Sequence, residues 1–439
     1  MLRVLQHPVY RNLFSAQIIA LLGTGLATVA LGLLAFELAG DQAGTVLGTA
    51  LAIKMIAYVT VSPIASALTE TFPRRFILVS LDCVRAAIVF FLPFVTTVLQ
   101  IYFLIFLLHA TSAAFTPTFQ ATIPDILKEE DDYTNALALS RFAYDMESLI
   151  SPMLAAFLLL LIPFQALFAG TVIGFLASAC LIISVILPKT EVIQKKDFYE
   201  RITRGIRIYL ATPRLRGLLA ICFVVSSAGA MVFVNTVVLV QGTFKLDQQN
   251  TALALASFGS GSMIAALFLP KILDKYSDRA VMLAGAILLS IGLILCAFLQ
   301  NYKTLLVLWF IFGIGYSVAQ TPSGRLLRRS SHPEDRPALF AAHFALSHAC
   351  WLISYPLAGW LGASIGLSAT SFALAICATG GACIAFYVWP LKEQENLMHT
   401  HTDLPPEDPH WKQGHTGSER THSHPFVIDH LHRQWPGEI

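Results

Sequence analysis

The stretch from Ala136 to Ala156 reads ALALSRFAYDMESLISPMLAA. It has the length of one bilayer span, roughly 20 residues, yet it contains Arg141, Asp145, Glu147 and Pro152. It also recurs. Moved 202 positions on, Ala136-Leu137 meets Ala338-Leu339, Arg141 meets His343, and Phe142-Ala143 meets Phe344-Ala345. Leu149-Ile150-Ser151-Pro152 then returns as Leu352-Ile353-Ser354-Tyr355-Pro356. An acidic approach precedes each copy, Glu129 to Asp132 in the first and Glu334-Asp335 in the second. A repeat near half the chain length implies two similar halves, and in membrane proteins such halves enclose a substrate path between them.

The rest of the chain agrees. Of 439 residues, 56% are hydrophobic and 13% charged, against the roughly 25% charged of soluble domains. This excludes an ordinary soluble enzyme and implies an all-α polytopic membrane protein whose partner is the lipid bilayer. Its net charge of +2 says nothing of partners, because such chains place their charges loop by loop. Met1 to Gln17 lacks the pattern of a cleavable leader. The seven cysteines have no CxxC spacing and are expected to be core residues.

Six apolar runs, near 13–38, 44–68, 76–98, 101–122, 136–161 and 165–187, make an N-terminal half over 1–187. Pro188 to Arg216 then carries eight Lys or Arg, with Phe198, Ile202, Ile206 and Tyr209 at helical spacing, which predicts an amphipathic linker helix on the membrane surface. Six more runs, near 217–240, 250–270, 280–299, 304–323, 338–364 and 367–390, form a C-terminal half over 217–390; a polar tail occupies 391–439. Backbone facing lipid must satisfy its own hydrogen bonds, so all twelve spans should be helices. Arg74-Arg75, the linker, Lys271/Lys275/Arg279 and Arg325/Arg328/Arg329/Arg336 all fall in even-numbered loops. The positive-inside bias therefore puts those loops and both termini in the cytoplasm, the expected site being the inner (plasma) membrane.

Twelve spans as six plus six around a basic central loop resemble the major facilitator superfamily over about 1–390. Where that family has a glycine-rich, acid-and-arginine loop between its second and third helices, this chain has Ser66-Ala67-Leu68-Thr69-Glu70-Thr71-Phe72-Pro73-Arg74-Arg75. The resemblance makes Glu70, Arg74 and Arg75 a gating loop. Pro152 with Ala155-Ala156 is similar to the fifth-helix antiporter motif, its glycines replaced by small residues. Asp82 and Arg85, with Pro124-Asp125 to Asn135-Ala136, resemble the branch of siderophore and macrolide exporters, in which nickel-resistance exporters carry histidine-rich C-terminal tails.

This tail holds eight of the thirteen histidines: His399, His401, His410, His415, His422, His424, His430 and His432. Three of the pairings are His-x-His, whose imidazoles share a face of an extended chain. Imidazole suits Ni, Cu and Zn, so these residues are the candidate metal ligands; a solvated tail with incidental histidines is the plain alternative.

Ionisable residues within spans cost on the order of 2.5–3.5 kcal/mol each at mid-bilayer and therefore pair or face a wet cavity. Asp82/Arg85 and Arg141/Asp145 are spaced three and four apart and are expected to pair on their own helices in structural or gating roles. Lys54 and Glu147 have no local partner, which makes them the candidates for coupling a proton to transport and candidate partners of each other; a buried pair with no transport role is the alternative. His109, His343 and His348 are candidates for the substrate path, His343 sharing a face with Ser347 and Cys350 while His348 points about 140° away.

No GxxxxGK[ST] and no HExxH occurs, so nucleotide hydrolysis and this class of metalloprotease chemistry are excluded. Neither a cofactor, a nucleic acid nor an obligatory protein partner is implied. The expected function is secondary active export of a divalent transition metal, nickel or cobalt first, with proton coupling. Export of a siderophore or another organic compound is the alternative.

Overall fold

A computed structural model describes residues 2–39, 43–69, 72–188, 198–391, 396–400, 415–416, 421–429, 431–432 and 434–436. The first half consists of α1 (Pro8–Ala39), α2 (Ala43–Thr69), α3 (Arg74–Phe91), α4 (Val98–Ile126), α5 (Glu130–Leu158) and α6 (Gln165–Ile183). The linker carries α7 (Phe198–Ala211). The second half holds α8 (Pro213–Val237), which continues through a π-turn at Val238–Thr243, then α9 (Gln248–Leu273), α10 (Asp278–Cys296), α11 (Tyr302–Gln320), the short α12 (Ser323–Arg329), α13 (Arg336–Ile365) and α14 (Leu367–Val388).

Among the described residues, eleven helices are long and apolar enough to cross a membrane. The twelfth, α5, is more polar because it carries Arg141, Asp145 and Glu147 along its middle. A helix this polar is stable in a bilayer only if its charged face is enclosed. It is enclosed, by α1 on one side and α9 of the other half on the other.

The repeat is visible in the packing. In the first half α1 packs on α5 and α6, α2 on α4, and α3 on α4 and α6; in the second, α8 packs on α13 and α14, α9 on α11, and α10 on α11 and α14. The halves meet along two seams, α2 with α13 and α5 with α9, as a two-fold exchange of equivalent helices requires. Helix starts are fixed by polar caps at the loops. Thr97 and Gln100 form a reciprocal capping box on α4, while Asp247, Ser277 and Asn301 cap α9, α10 and α11. The described residues near both chain ends lie with the even-numbered loops: Val4 belongs to the hydrophobic cluster of Leu127 and Tyr133, and in the tail Asp429 reaches His332.

Several expectations change. The linker helix is amphipathic, but it rests on protein instead of lipid. Ile208 and Tyr209 are fully buried, α7 packs on α13 and α2, and a Cβ at Gly205 would lie 2.0 Å from the Ala338 carbonyl oxygen. Its apolar edge is covered by the helix ends of both halves, so no lipid contact is needed. Of the cysteines, Cys222, Cys296 and Cys350 are buried as expected, whereas Cys83, Cys180 and Cys383 lie exposed on the bundle surface. In the tail, three strands, β1 (Asn396–Thr400), β2 (His415–Thr416) and β3 (Thr421–Pro425), form an antiparallel sheet in the order β1-β3-β2.

Candidate functional site

A cavity of about 1280 Å³ lies between the halves. The first half contributes Gln17, Lys54, Tyr58, Arg141, Tyr144, Asp145 and Glu147, and the second Phe258, Tyr316, Gln320, His343, His348 and Trp351. Met153 and Leu253, which also line it, are 72% and 53% exposed; they mark a mouth toward the odd-numbered loops.

Four intramembrane candidates meet there on α2 and α5. Arg141 and Asp145 pair one helical turn apart, as their spacing predicts. The pair is not merely local, however. Arg141 Nε also donates to Ser262 Oγ of α9 at 3.1 Å, and the guanidinium lies 4.6 Å from the Tyr316 ring of α11. It therefore bridges the halves. Lys54 Nζ lies 5.7 Å from the Tyr58 ring. Lys54 and Glu147 line one cavity and feel each other's charge, but among the described residues no ion pair joins them. Glu147 sits where α5 closes on α1: a Cβ at Gly25 would come 2.2 Å from Ser151 Cβ and 2.8 Å from Glu147 Oε1. Glycine is what lets the carboxylate reach the cavity past α1.

The three histidines divide. His343 and His348 both line the cavity, despite their angular separation on α13. His343 Nδ1 is hydrogen-bonded to Tyr209 OH of α7 at 3.1 Å. His348 Nδ1 lies 2.7 Å from the Phe344 carbonyl oxygen; this ring nitrogen must be the donor, which leaves Nε2 for another partner. His109 stands behind this wall, its Nδ1 3.1 Å from Tyr58 OH, and the Tyr58 ring also meets His348 edge-on at 4.8 Å. Tyr58 thus joins Lys54, His109 and His348, a role no spacing in the sequence announces.

Asp82 and Arg85 are elsewhere. Their ion pair is buried inside the first half, with Ser178 Oγ donating to Asp82 at 2.7 Å and the guanidinium between the rings of Phe115 and Phe175 at 3.8 and 4.4 Å. Rings at such distances stabilise a desolvated guanidinium by about 2 kcal/mol or more.

Below the cavity, at the end of the even-numbered loops, ion pairs join the halves. Arg74 donates to Asp125 at 2.5 Å and to the Ala121 carbonyl oxygen, and Asp125 accepts in turn from Arg336 of the second half. Glu130 accepts from Arg325 at 2.7 Å and from Arg329, both of which also reach Asp278 at 3.1 and 3.2 Å. Ser62 Oγ donates to the Ala341 carbonyl oxygen across the α2–α13 seam. In the first half the acids end α4 and begin α5, whereas in the second the bases occupy α12 and the start of α13. At these contacts acids of the first half face bases of the second, so the two halves attract. The signal was present in the sequence as acids at 125–132 facing arginines at 325–336, but their pairing across the halves is a tertiary fact. Arg75, by contrast, is exposed and donates to the Val185 carbonyl oxygen, and Glu70 lies outside the described residues.

The expected metal ligands are only partly described. His401, His410 and His430 lie outside the described residues, and for His399, His415, His422 and His424 only the backbone is described. The strand register sets His399 opposite His422. His432 is buried with its Nδ1 3.0 Å from Asp429 Oδ1, so this arrangement spends one ring nitrogen on a turn instead of a metal. Among the described residues no group of three or more His, Cys, Asp or Glu is arranged to hold a metal ion.

Comparison with known proteins fits this geometry. The family model described as Major Facilitator Superfamily matches residues 13–251 and again 219–422. No curated protein matches the chain. Solved structures of similar fold include the human organic anion transporter TETRAN (TM-score 0.73, 11% identity, 86% of this chain and 98% of that one). A bacterial homologue of the iron transporter ferroportin in the outward-facing state is also similar (0.71, 12%, 87% and 99%), as is the E. coli fucose:proton symporter (0.68, 14%, 87% and 98%). At these identities the likeness is one of fold.

Proposed function

The chain belongs to the major facilitator superfamily and is a membrane transporter, not an enzyme; from that premise we propose that it exports a divalent transition metal, nickel or cobalt first, from the cytoplasm by alternating access. The even-numbered loops, both termini and the linker are cytoplasmic in this reading, because they carry the Lys and Arg. The observation that supports it most is the pair His343 and His348 facing the cavity that also holds Asp145 and Glu147, in a chain whose tail carries eight histidines. Neutral imidazole nitrogens bind such ions, and protonation releases them.

Glu147 is the coupling residue. Among the described residues it is the cavity acid without an ion pair, so it takes and gives a proton without dismantling the seam. Lys54 tunes it by charge, while Arg141 and Asp145 hold the seam itself. Protonation of Glu147 from the outer side and deprotonation toward the cytoplasm would drive the metal outward.

A second reading has its own support: a cavity of this size walled by Tyr58, Tyr144, Phe258, Tyr316 and Trp351 suits an organic solute. The fold neighbours include proteins described for both kinds of cargo. Uptake of nickel, cobalt and zinc into inverted membrane vesicles under an imposed pH gradient distinguishes the two. Gradient-dependent nickel accumulation supports the first; accumulation of an organic cation with no response to any metal sinks it.

A further inference from the structure

The end of the tail is docked on the gate. Following β3, Phe426 and Ile428 are 4% and 2% exposed and belong to the hydrophobic core of the second half, with Leu397 of β1 and Trp435 packed beside them. The Phe426 ring meets His432 at 4.6 Å and Trp435 at 5.2 Å, both edge-on. Asp429 closes the turn between them, accepting from the backbone N–H groups of Leu431 at 2.8 Å and His432 at 2.7 Å. This is a small folded unit.

What it touches matters more. Asp429 Oδ2 lies 3.5 Å from His332 Nε2, in the connection between α12 and α13. The Trp435 ring lies 5.6 Å from the guanidinium of Arg214 at the start of α8. Arg214 in turn donates to Ser330 Oγ and to the Arg329 carbonyl oxygen, each at 2.7 Å. Arg329 and Arg325 are the residues that reach Glu130 of the other half, and Arg336 reaches Asp125. Asp429 and the Arg214–Trp435 contact thus brace one short segment, 325–336, which supplies every second-half arginine of the ion pairs between the halves among the described residues.

We propose that the tail residues Phe426, Ile428, Asp429, His432 and Trp435 form an intramolecular strap that holds segment 325–336 in its gate-closed position, so that its docking favours the state open away from the Lys/Arg-rich face. The physical basis is pre-organisation: arginine side chains lose less freedom on pairing when their backbone is already fixed. Coupling of this kind between a docked element and a two-state equilibrium is commonly worth about 5- to 150-fold. The strap acts on the gate whatever the cargo, so it stands independently of the metal reading.

The test uses the full chain in inverted vesicles, with Ser62→Cys as reporter. Ser62 is fully buried at the α2–α13 seam and becomes reachable from the Lys/Arg-rich face only when the gate opens. Phe426→Asp with Ile428→Asp undocks the strap, and truncation after Pro425 removes it without adding charge. Release of the strap is read by hydrogen exchange of the Leu431 and His432 amides, which donate to Asp429, and labelling of the residue-62 peptide by a charged thiol reagent is read by mass spectrometry. The strap predicts a parent chain in which those two amides are protected and a labelling rate that rises about tenfold in both variants. A parent whose amides exchange as fast as those of the double variant, or an unchanged labelling rate once the strap is released or deleted, overturns the proposal.

Discussion

Replacing Arg336 by glutamine should open the gate at the Lys/Arg-rich face, and the structure sets the size of the effect. Arg336 and Asp125 are each 13% exposed, so their pairing is largely desolvated. Losing one partner of a buried pair can cost 3–5 kcal/mol when the other charge is orphaned. Asp125 is not orphaned here, because Arg74 remains at 2.5 Å. The loss is then that of one charge-assisted hydrogen bond, about 1.5–3 kcal/mol, or roughly a 10- to 150-fold shift between the two gate states. Glu130, 40% exposed, sits in a different regime. Surface pairs contribute about 0.2–1 kcal/mol, so Glu130→Gln should shift the equilibrium by no more than about fivefold. Spin labels at the exposed positions Asp131 and Lys275, one in each half, report the separation by pulsed electron resonance in a cysteine-depleted background. A long-distance population should appear in Arg336→Gln and barely in Glu130→Gln. A parent-like distribution in Arg336→Gln, or a larger change in Glu130→Gln, would refute the assignment of the gate to the Asp125–Arg336 contact.

Other outcomes follow from the same geometry. Glu147→Gln should abolish gradient-driven export while leaving cargo binding measurable by calorimetry, since shape is kept and only the titratable charge goes; full export would remove Glu147 from the coupling role. Asp145→Asn should instead free Arg141 from its place at Ser262 and Tyr316, slowing exchange and pH-gradient-driven transport alike. Gly25→Ala places a methyl 2.2 Å from Ser151 Cβ, and overpacking of this kind costs about 1–3 kcal/mol; a thermal midpoint in detergent equal to the parent's would show that α1 and α5 are not so closely apposed. The strap should also loosen with alkali. His332 is raised above its ordinary value chiefly by its hydrogen bond to Asp429, against burial and with help from Glu334 and Asp335. Although burial alone would raise it, Asp429 is held far below the usual carboxylate range by hydrogen bonds from His332 and His432. The His332 contribution is therefore complete below about pH 6.5 and fades as pH rises through the folded-state value. The protection factors of the Leu431 and His432 amides, which donate to Asp429, should fall over that window and become flat in His332→Gln.

The sequence by itself determined the architecture, because a bilayer leaves the backbone few choices. Span length, the basic linker and the internal repeat from Ala136 to Ala338 are one-dimensional signals, and each follows from the need to satisfy backbone hydrogen bonds and to place charge in loops. Pairs within one helix turn were legible for the same reason: Arg141–Asp145 and Asp82–Arg85 are fixed by helical pitch alone. Contacts between helices were not. Lys54 and Glu147 share a cavity without forming an ion pair, His343 is tied to the linker's Tyr209, and Tyr58 gathers Lys54, His109 and His348, because helix rotation and depth are set by packing that no local pattern records. The tail shows the difference most clearly. Its histidine spacing announced polar chemistry, but the burial of Phe426 and Ile428 in the core of the second half was decided by a surface that several helices make together. That surface exists only once twelve helices have assembled.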